Sequence, residues 1–154
     1  MKIKFSVPII CLSFLITTCV NGQESRLLTK PGLSPEIHGV LEKSSAPGTH
    51  PAVIILYGSQ GWNPIYATLA KDLADSGFVA LALDYYAYKD NNPELAGEEA
   101  NWSRWKSSVR SAVAFLMEET SAVRGSAGLL GYSLGSILAV SVASSIPEVK
   151  GVVE

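Results

Sequence analysis

LLGYSLGS, residues 129–136, reads as the end of a buried strand that runs through Gly-x-Ser-x-Gly into an apolar helix. A sharp turn between a strand and a helix raises a serine hydroxyl above the edge of a sheet, and the flanking glycines leave room for the turn. We therefore predict that Ser133 is a nucleophile. Ser136, one turn further on, is predicted to cap or pack the helix. The competing interpretation is a glycine-rich turn with a merely structural serine.

The segments around this turn alternate between strand-like apolar runs and amphipathic helices. Continuous apolar, β-branched runs indicate strands buried on both faces of a parallel sheet. Asn63 as cap, Pro64 as first residue and Gly77 as stop delimit one helix. The predicted strands are 37–42, 52–57, 78–83, 127–130 and 149–153. Two further helices are predicted: one begins near Asn101, and the other spans residues 134–146. This order predicts the α/β class, with a mostly parallel sheet, helices on both faces and sites at the carboxyl ends of the strands.

The turn after the first buried strand, Tyr57-Gly58-Ser59-Gln60-Gly61-Trp62, is predicted to face the serine. In this architecture such a turn supplies one backbone N–H of an oxyanion hole, and the residue after the nucleophile supplies the other. The predicted donors are therefore Ser59, with Gln60 as its alternative, and Leu134. The competing interpretation is a simple strand-to-helix turn.

Aromatic residues are concentrated in loops and helix starts at the same end of the sheet. Aromatic side chains on loops can line an apolar pocket, although each one is more often a packing residue. We predict that four of them form the substrate pocket, and Asp84 is predicted to cap its loop. The pocket residues are Trp62, Tyr85, Tyr86 and Tyr88, with Trp102 and Trp105 in the same cluster.

A serine nucleophile needs a base, and the sequence has only two histidines, both before Ser133. His50 precedes its strand and so is predicted at the opposite end of the sheet, about 20 Å away at ~3.3 Å per residue. His38 is predicted to lie several strands to the side, roughly 14 Å away at ~4.8 Å per strand. We therefore predict that both histidines are structural. Because the chain also stops within a predicted strand, we expect a truncated fold whose catalytic Asp and His lie beyond Glu154.

The N-terminal segment has a composition of its own. Residues 1–22 have lysines before a short apolar run and a polar end, which predicts a signal peptide and therefore an exported, secreted or periplasmic protein. The alternative is a lipoprotein signal ending before Cys19, which would anchor the protein to the membrane surface through a lipid. Residues 23–35 are predicted to be a linker, and residues 36–154 a partial catalytic domain.

Composition limits the remaining functions. The chain has 154 residues, 47% of them hydrophobic and 17% charged, as expected for one globular domain. A net charge of -2 without a basic patch argues against a nucleic-acid partner. No group of His, Cys and Asp residues has metal-ligand spacing, so we expect neither a metal nor a cofactor. The sequence says nothing about the oligomeric state.

From His50 to Val153 the chain resembles the dienelactone hydrolase branch of the α/β-hydrolase superfamily. The resemblance lies in five pieces and covers only the first part of the family's fold. They are Pro51–Gly58, Gly61–Asn63, Leu69-Ala70 with Leu73-Ala74, Gly77–Tyr86, and Gly128–Gly135.

The resemblance implies an α/β-hydrolase fold and a serine hydrolase that acts on a small carboxylic ester. Dienelactone hydrolases typically have a cysteine nucleophile and a glutamate in the first turn, where this chain has Ser133 and Tyr57-Gly58. A general serine carboxylesterase is therefore expected rather than an enzyme with the family's Cys/Glu chemistry. The alternatives are an acyl-CoA thioesterase or acyltransferase, whose branch shares a similar strand, and a non-catalytic binding domain of the same fold.

Overall fold

The computed structural model describes residues 37–87 and 101–154 together with the backbone of residues 17–20, 23–26 and 99–100. Strands β1 (Thr17–Val20) and β2 (Gln23–Arg26) form a small antiparallel sheet. They lie on either side of the predicted end of the signal peptide. The proposed boundaries at residues 22 and 35 stay predictions.

Within the described part of the chain, the main sheet has five strands in the order β3-β5-β4-β6-β7. These strands are β3 (Gly39–Lys43), β4 (His50–Leu56), β5 (Val79–Leu83), β6 (Ala122–Gly131) and β7 (Val149–Val153). The last four are parallel to one another, and β3 runs antiparallel along the edge of β5. The sheet is therefore mostly parallel, as predicted.

Among the residues that the structure describes, three helices connect the strands: α1 (Ile65–Asp75), α2 (Glu99–Glu118) and α3 (Leu134–Ala143). At the start of α1, Pro64 already has helical dihedral angles, and Asn63 Oδ1 accepts the Ile65 N–H at 3.0 Å. At its end, Gly77 has a φ of +95°, which reverses the chain after the last turn. The predicted start and stop residues of this helix are confirmed.

The two faces of the sheet are covered by different helices. Successive side chains of a strand point to opposite faces, so Ile54 and Leu56 join the core under α2 and α3, whereas Ile55 joins the core under α1. On the α1 face, Ala80 and Ala82 of β5 are small enough to let α1 pack closely. The prediction of helices on both faces is confirmed.

The ends of β3 and β4, the start of β5 and the end of β6 lie one or two residues from their predicted positions, and three further boundaries also differ. Strand β6 begins at Ala122 rather than Ala127, because Ala122 pairs with His50 at the start of β4 and extends the ladder into a polar stretch. Helix α3 ends at Ala143 rather than Ile146, because the N–H groups of Ser145 and Ile146 bond to carbonyls only three residues back, and Pro147 disfavours helical geometry at Ile146. Helix α2 begins two residues earlier than predicted. In the described part of the chain, no helix has the length and apolar character needed to cross a membrane.

Candidate active site

Ser133 occupies a strained turn between β6 and α3. Its φ of 51° and ψ of -115° are unusual, and among the described residues it is the one side-chain-bearing residue with a positive φ. Residues other than glycine adopt such angles only where the surrounding structure enforces them, and they cluster at functional sites. The Ser133 side chain is exposed at the carboxyl edge of the sheet. This is the geometry of a nucleophile elbow.

Both glycines of the motif are required because neighbouring main-chain atoms leave no room for a side chain. A Cβ atom on Gly131 would lie 2.5 Å from Ser136 Cα, and one on Gly135 would lie 2.2 Å from Leu56 O. Both distances are too short for any side chain. The same Leu56 carbonyl accepts the Tyr132 N–H at 2.9 Å. The elbow is thus held directly against the end of β4.

The turn after β4 lies beside the serine. A Cβ atom on Gly58 would be 3.3 Å from Ser133 Cβ and 3.9 Å from Ser133 Oγ. Gly58 O accepts the Gly61 N–H at 3.1 Å, which closes the turn. Within the described residues, neither the Ser59 nor the Leu134 backbone N–H has a protein acceptor. Both remain available as donors, and Gln60 follows in the same exposed turn.

Tyr57 fixes this turn to the loop after β5. Its hydroxyl donates to Asp84 Oδ1 at 2.5 Å and accepts the Tyr86 N–H at 2.9 Å. The Tyr85 hydroxyl in turn donates to Tyr57 O at 2.6 Å. The rings of Tyr57 and Tyr85 stack with centroids 4.4 Å apart. Burial, reinforced by Asp84, raises the pKa of Tyr57 well above its usual range, and burial likewise raises the pKa of Tyr85.

The predicted pocket residues have different positions. Trp62 is 37% exposed and meets Tyr57 edge to face, and Tyr86 is half-buried beside Gly61. Tyr85 is fully buried, because its ring is stacked on Tyr57 and its hydroxyl is bonded within the core, so it supports the site from beneath. Tyr88 lies outside the described residues. Trp105 is also fully buried, and its ring centroid lies 5.0 Å from that of Tyr86.

An apolar groove of about 470 Å³ adjoins Tyr132, the residue before Ser133. Tyr132 forms part of its wall and is 43% exposed, with its ring 5.8 Å from that of Tyr66. Asp72 contributes one carboxylate to the lining, and none of the described lining residues is cationic. The remaining lining residues are Ile65, Thr68 and Leu69.

Neither histidine is near Ser133. His50 begins β4 at the opposite end of the sheet, where its Nε2 is 2.9 Å from Ala46 O. His38 precedes β3, which is three positions from β6 in the strand order and therefore about 14 Å to the side at ~4.8 Å per strand. Asp84 lies two positions away, and its side chain accepts the Tyr86 N–H at 3.3 Å, as a loop cap does. Within the described residues, no three His, Cys, Asp or Glu side chains are grouped as metal ligands.

The part played by Tyr57 was not predicted from the sequence. Tyr57 is the last residue of a predicted apolar strand, whereas in the structure its hydroxyl and carbonyl connect two loops of the site. The available signal was a tyrosine at the carboxyl end of a buried strand, immediately before a glycine. A buried tyrosine hydroxyl usually finds a hydrogen-bond partner, so its position at the sheet edge pointed to a contact with a neighbouring loop.

A sequence model of the dienelactone hydrolase family matches residues 37–154, which include the whole five-stranded sheet, the elbow and the turn after β4. The chain belongs to the dienelactone hydrolase family. A search of the curated proteins finds no match. This membership confirms the resemblance seen in the sequence and makes the protein a member of a hydrolase family.

Solved structures share the fold of this dienelactone hydrolase family member. A dienelactone hydrolase from Anabaena variabilis is 18% identical with a TM-score of 0.58, and the match covers 90% of this chain and 60% of that one. A dienelactone hydrolase-like promiscuous phosphotriesterase from metagenomic libraries is 20% identical with a TM-score of 0.60, and the match covers 76% of this chain and 52% of that one. Est1E from Butyrivibrio proteoclasticus is 16% identical with a TM-score of 0.60, and the match covers 80% of this chain and 46% of that one. The chain therefore spans about half the length of the structures it matches.

Proposed function

We propose that this protein is a serine hydrolase of small carboxylic esters. Ser133 attacks the ester carbonyl, and the N–H groups of Ser59 and Leu134 hold the negative charge that develops on its oxygen. A histidine, oriented by an aspartate, takes the serine proton and gives it to the alcohol as the bond between the acyl carbon and the alcohol oxygen breaks. Water then attacks the acyl group on Ser133, which releases the carboxylic acid and restores the serine. Since neither His38 nor His50 lies near Ser133, we assign both partners to the part of the family fold that this chain does not span.

One observation carries the proposal: Ser133 has a positive φ at a position where Gly58 leaves space beside its hydroxyl. A serine that merely capped α3 would have no need of strained dihedral angles, because ordinary capping residues have β-region geometry. In addition, Ser133 makes no side-chain capping hydrogen bond to α3. An exposed, strained serine next to two unoccupied backbone donors supports attack on a carbonyl.

A fluorophosphonate probe applied to the intact natural protein, followed by peptide mapping, tests the proposal. We expect one label on Ser133, none in Ser133→Ala, and full labelling in the matched control Ser136→Ala. An active enzyme that is labelled elsewhere, or not at all, would contradict the assignment. Residues 1–154 alone are expected not to hydrolyse p-nitrophenyl acetate, because no base is near the serine. Turnover that disappears in Ser133→Ala would overturn this expectation.

Two other functions can be separated by experiment. The position of both histidines away from Ser133 favours a non-catalytic binding domain, which would bind esters without being labelled by the probe. A thioesterase or acyltransferase would be labelled, but would prefer acyl thioesters to oxygen esters of equal chain length. We expect p-nitrophenyl esters of short or aromatic acids to be the better substrates, in keeping with Trp62, Tyr86 and the apolar groove.

We also propose that the protein is exported. Residues 1–22 serve as a signal peptide in this proposal, residues 23–35 as a linker, and residues from 36 onward as the catalytic domain. N-terminal sequencing of the mature protein distinguishes the two routes: a start at Gln23 indicates cleavage by signal peptidase, and a lipidated Cys19 indicates an anchored protein. An N-terminus at Met1 in the mature protein would refute both.

A further inference from the structure

The Ser59 amide belongs to a peptide unit whose orientation is fixed from one side. A peptide bond is planar and trans, so the Gly58 carbonyl and the Ser59 N–H point in opposite directions. The Gly58 carbonyl accepts the Gly61 N–H at 3.1 Å and therefore points into the turn. The Ser59 N–H consequently points out of the turn. This fixed direction is what an oxyanion donor needs.

The preceding peptide unit is fixed from the other side. The Tyr57 carbonyl accepts the Tyr85 hydroxyl at 2.6 Å, a hydrogen bond that is buried in the core. Gly58, between the two peptide units, has no side chain to restrict its dihedral angles. Without an anchor on the Tyr57 carbonyl, the turn would be free to rotate about Gly58. The Tyr85 hydroxyl supplies that anchor.

A second hydrogen bond holds the anchor itself in place. The Tyr57 hydroxyl donates to Asp84 at 2.5 Å, while the stacked rings of Tyr57 and Tyr85 lie 4.4 Å apart. The two tyrosines thus hold each other in place. The Tyr85 hydroxyl is bonded to the Tyr57 carbonyl, and the Tyr57 hydroxyl is bonded to Asp84, the residue before Tyr85. Tyrosine hydroxyls carry their protons at neutral pH, so both can act as hydrogen-bond donors. Burial raises the pKa of both groups further, so they remain donors in mildly alkaline solution as well.

We propose that Tyr57, Asp84 and Tyr85 form a positioning clamp that directs the Ser59 N–H toward the oxyanion. The inference rests on the proposed function. The three residues do not touch the reacting atoms in this scheme. They act through the turn, so their loss is expected to weaken binding of the transition state more than binding of the substrate.

Tyr85→Phe tests the clamp, because it removes one hydroxyl and keeps the stacked ring. In the intact protein we expect kcat for a p-nitrophenyl ester to fall by about tenfold to a hundredfold, with KM changed by less than about twofold. Binding of a trifluoromethyl ketone, which forms a tetrahedral adduct, is expected to weaken in proportion to kcat. The matched control is Ser108→Ala, which removes another buried hydroxyl whose bond to Arg104 O lies within α2. This control is expected to keep its kcat.

Asp84 provides an independent test if Tyr85→Phe fails to fold. Asp84→Asn keeps an acceptor for the Tyr57 hydroxyl and is expected to retain kcat within about threefold, whereas Asp84→Ala is expected to lose about tenfold or more. Wild-type labelling at Ser133 combined with an unchanged kcat in Tyr85→Phe or Asp84→Ala would overturn the clamp and leave the proposed function intact. Absence of labelling in the wild-type protein would instead refute the proposed function.

Discussion

A Cβ atom on Gly58 would lie 3.3 Å from the Cβ of Ser133. The two residues follow different strands, β4 and β6, yet their main chains approach closely enough that a methyl group on Gly58 would crowd Ser133. This proximity places the turn after β4 and the elbow after β6 in one site.

Gly58→Ala is therefore expected to affect activity more than stability. Gly58 does not have a positive φ, so alanine can adopt its backbone, but the new methyl group restricts Ser133 and the adduct it forms. We expect kcat to fall by about tenfold or more. The free energy of unfolding should change by less than about 1 kcal/mol in urea titrations. A variant with wild-type kcat would show that this contact is unimportant.

Gly135→Ala, by contrast, should strongly reduce the stability of the protein. Its Cβ atom would lie 2.2 Å from the main-chain oxygen of Leu56, which cannot move without disturbing β4. We expect destabilisation of about 3 kcal/mol or more, measured by urea unfolding. Gly151→Ala is the matched control, because, apart from its neighbours in the chain, no atom of the described residues lies within 4 Å of the added methyl group. Equal stabilities for the two variants would contradict the steric argument.

Ser133→Gly is expected to stabilise the protein while it abolishes nucleophilic attack. The φ of 51° and ψ of -115° cost free energy for any residue with a Cβ atom, and glycine removes that cost. A gain of about 1 kcal/mol in the free energy of unfolding is expected. Ser133→Ala keeps the Cβ atom and the strain, so it should show no such gain. Identical stabilities for the two variants would argue against strain at this position.

The ion pair of Lys43 and Glu119 predicts a loss of stability in acid. The two charged groups are 2.8 Å apart. Burial by itself would raise the pKa of Glu119, but hydrogen bonds from Lys43 and Ser121 outweigh this effect and hold the pKa below its ordinary value. The pair's contribution is therefore present above the unfolded pKa of about 4.3 and is lost as pH falls through the lower folded value.

Glu119→Gln should accordingly cost about 1 to 2 kcal/mol at pH 7, and the difference from wild type should shrink below about pH 4. Urea titrations across this range measure both values. Asp75→Asn breaks the exposed pair with Lys71 and is expected to have no measurable effect. A constant difference between Glu119→Gln and wild type at every pH would contradict the assignment.

The buried tyrosines predict a loss of stability in alkali. Burial raises the folded-state pKa of Tyr57 and Tyr85 above the unfolded value of about 10. Their contribution is complete below that value and is lost as pH rises toward the folded values, because the unfolded chain releases protons that the folded chain keeps. Near pH 11, unfolding of Tyr85→Phe should release about one proton fewer per molecule than unfolding of the wild-type protein. Ser108→Ala removes a buried hydroxyl without a titrating group in this range and should leave the release unchanged.

The sequence predicted the features that depend on local chemistry. Ile54 and its apolar neighbours predict a doubly buried strand, and Asn63 and Gly77 mark the ends of α1 by mechanisms that act within a few residues. The crowding around Gly131 and Gly135 follows from the turn that their motif encodes. For these elements the sequence was sufficient because their causes lie close together along the chain.

Features that depend on distant contacts could not be predicted in the same way. The antiparallel direction of β3 depends on its pairing with β5, about 40 residues further along the chain. Tyr85 and Tyr86 are adjacent in a loop and look alike in sequence, yet one is fully buried and the other only partly. The bond between Tyr57 and Asp84 joins residues 27 positions apart. Whether Ser133, Ser59 and Leu134 act in catalysis stays a prediction.

The carbonyl group of Leu56 has a broader consequence. It accepts the Tyr132 N–H and also lies where any side chain on Gly135 would have to be, so β6 and α3 both meet β4 at one oxygen atom. Main-chain atoms thus set the spacing between Ser133 and the turn after β4. Substitution of an exposed side chain of that turn, such as Trp62, would leave this spacing unchanged. In the proposed mechanism, substrate preference can therefore change while the geometry of attack stays the same.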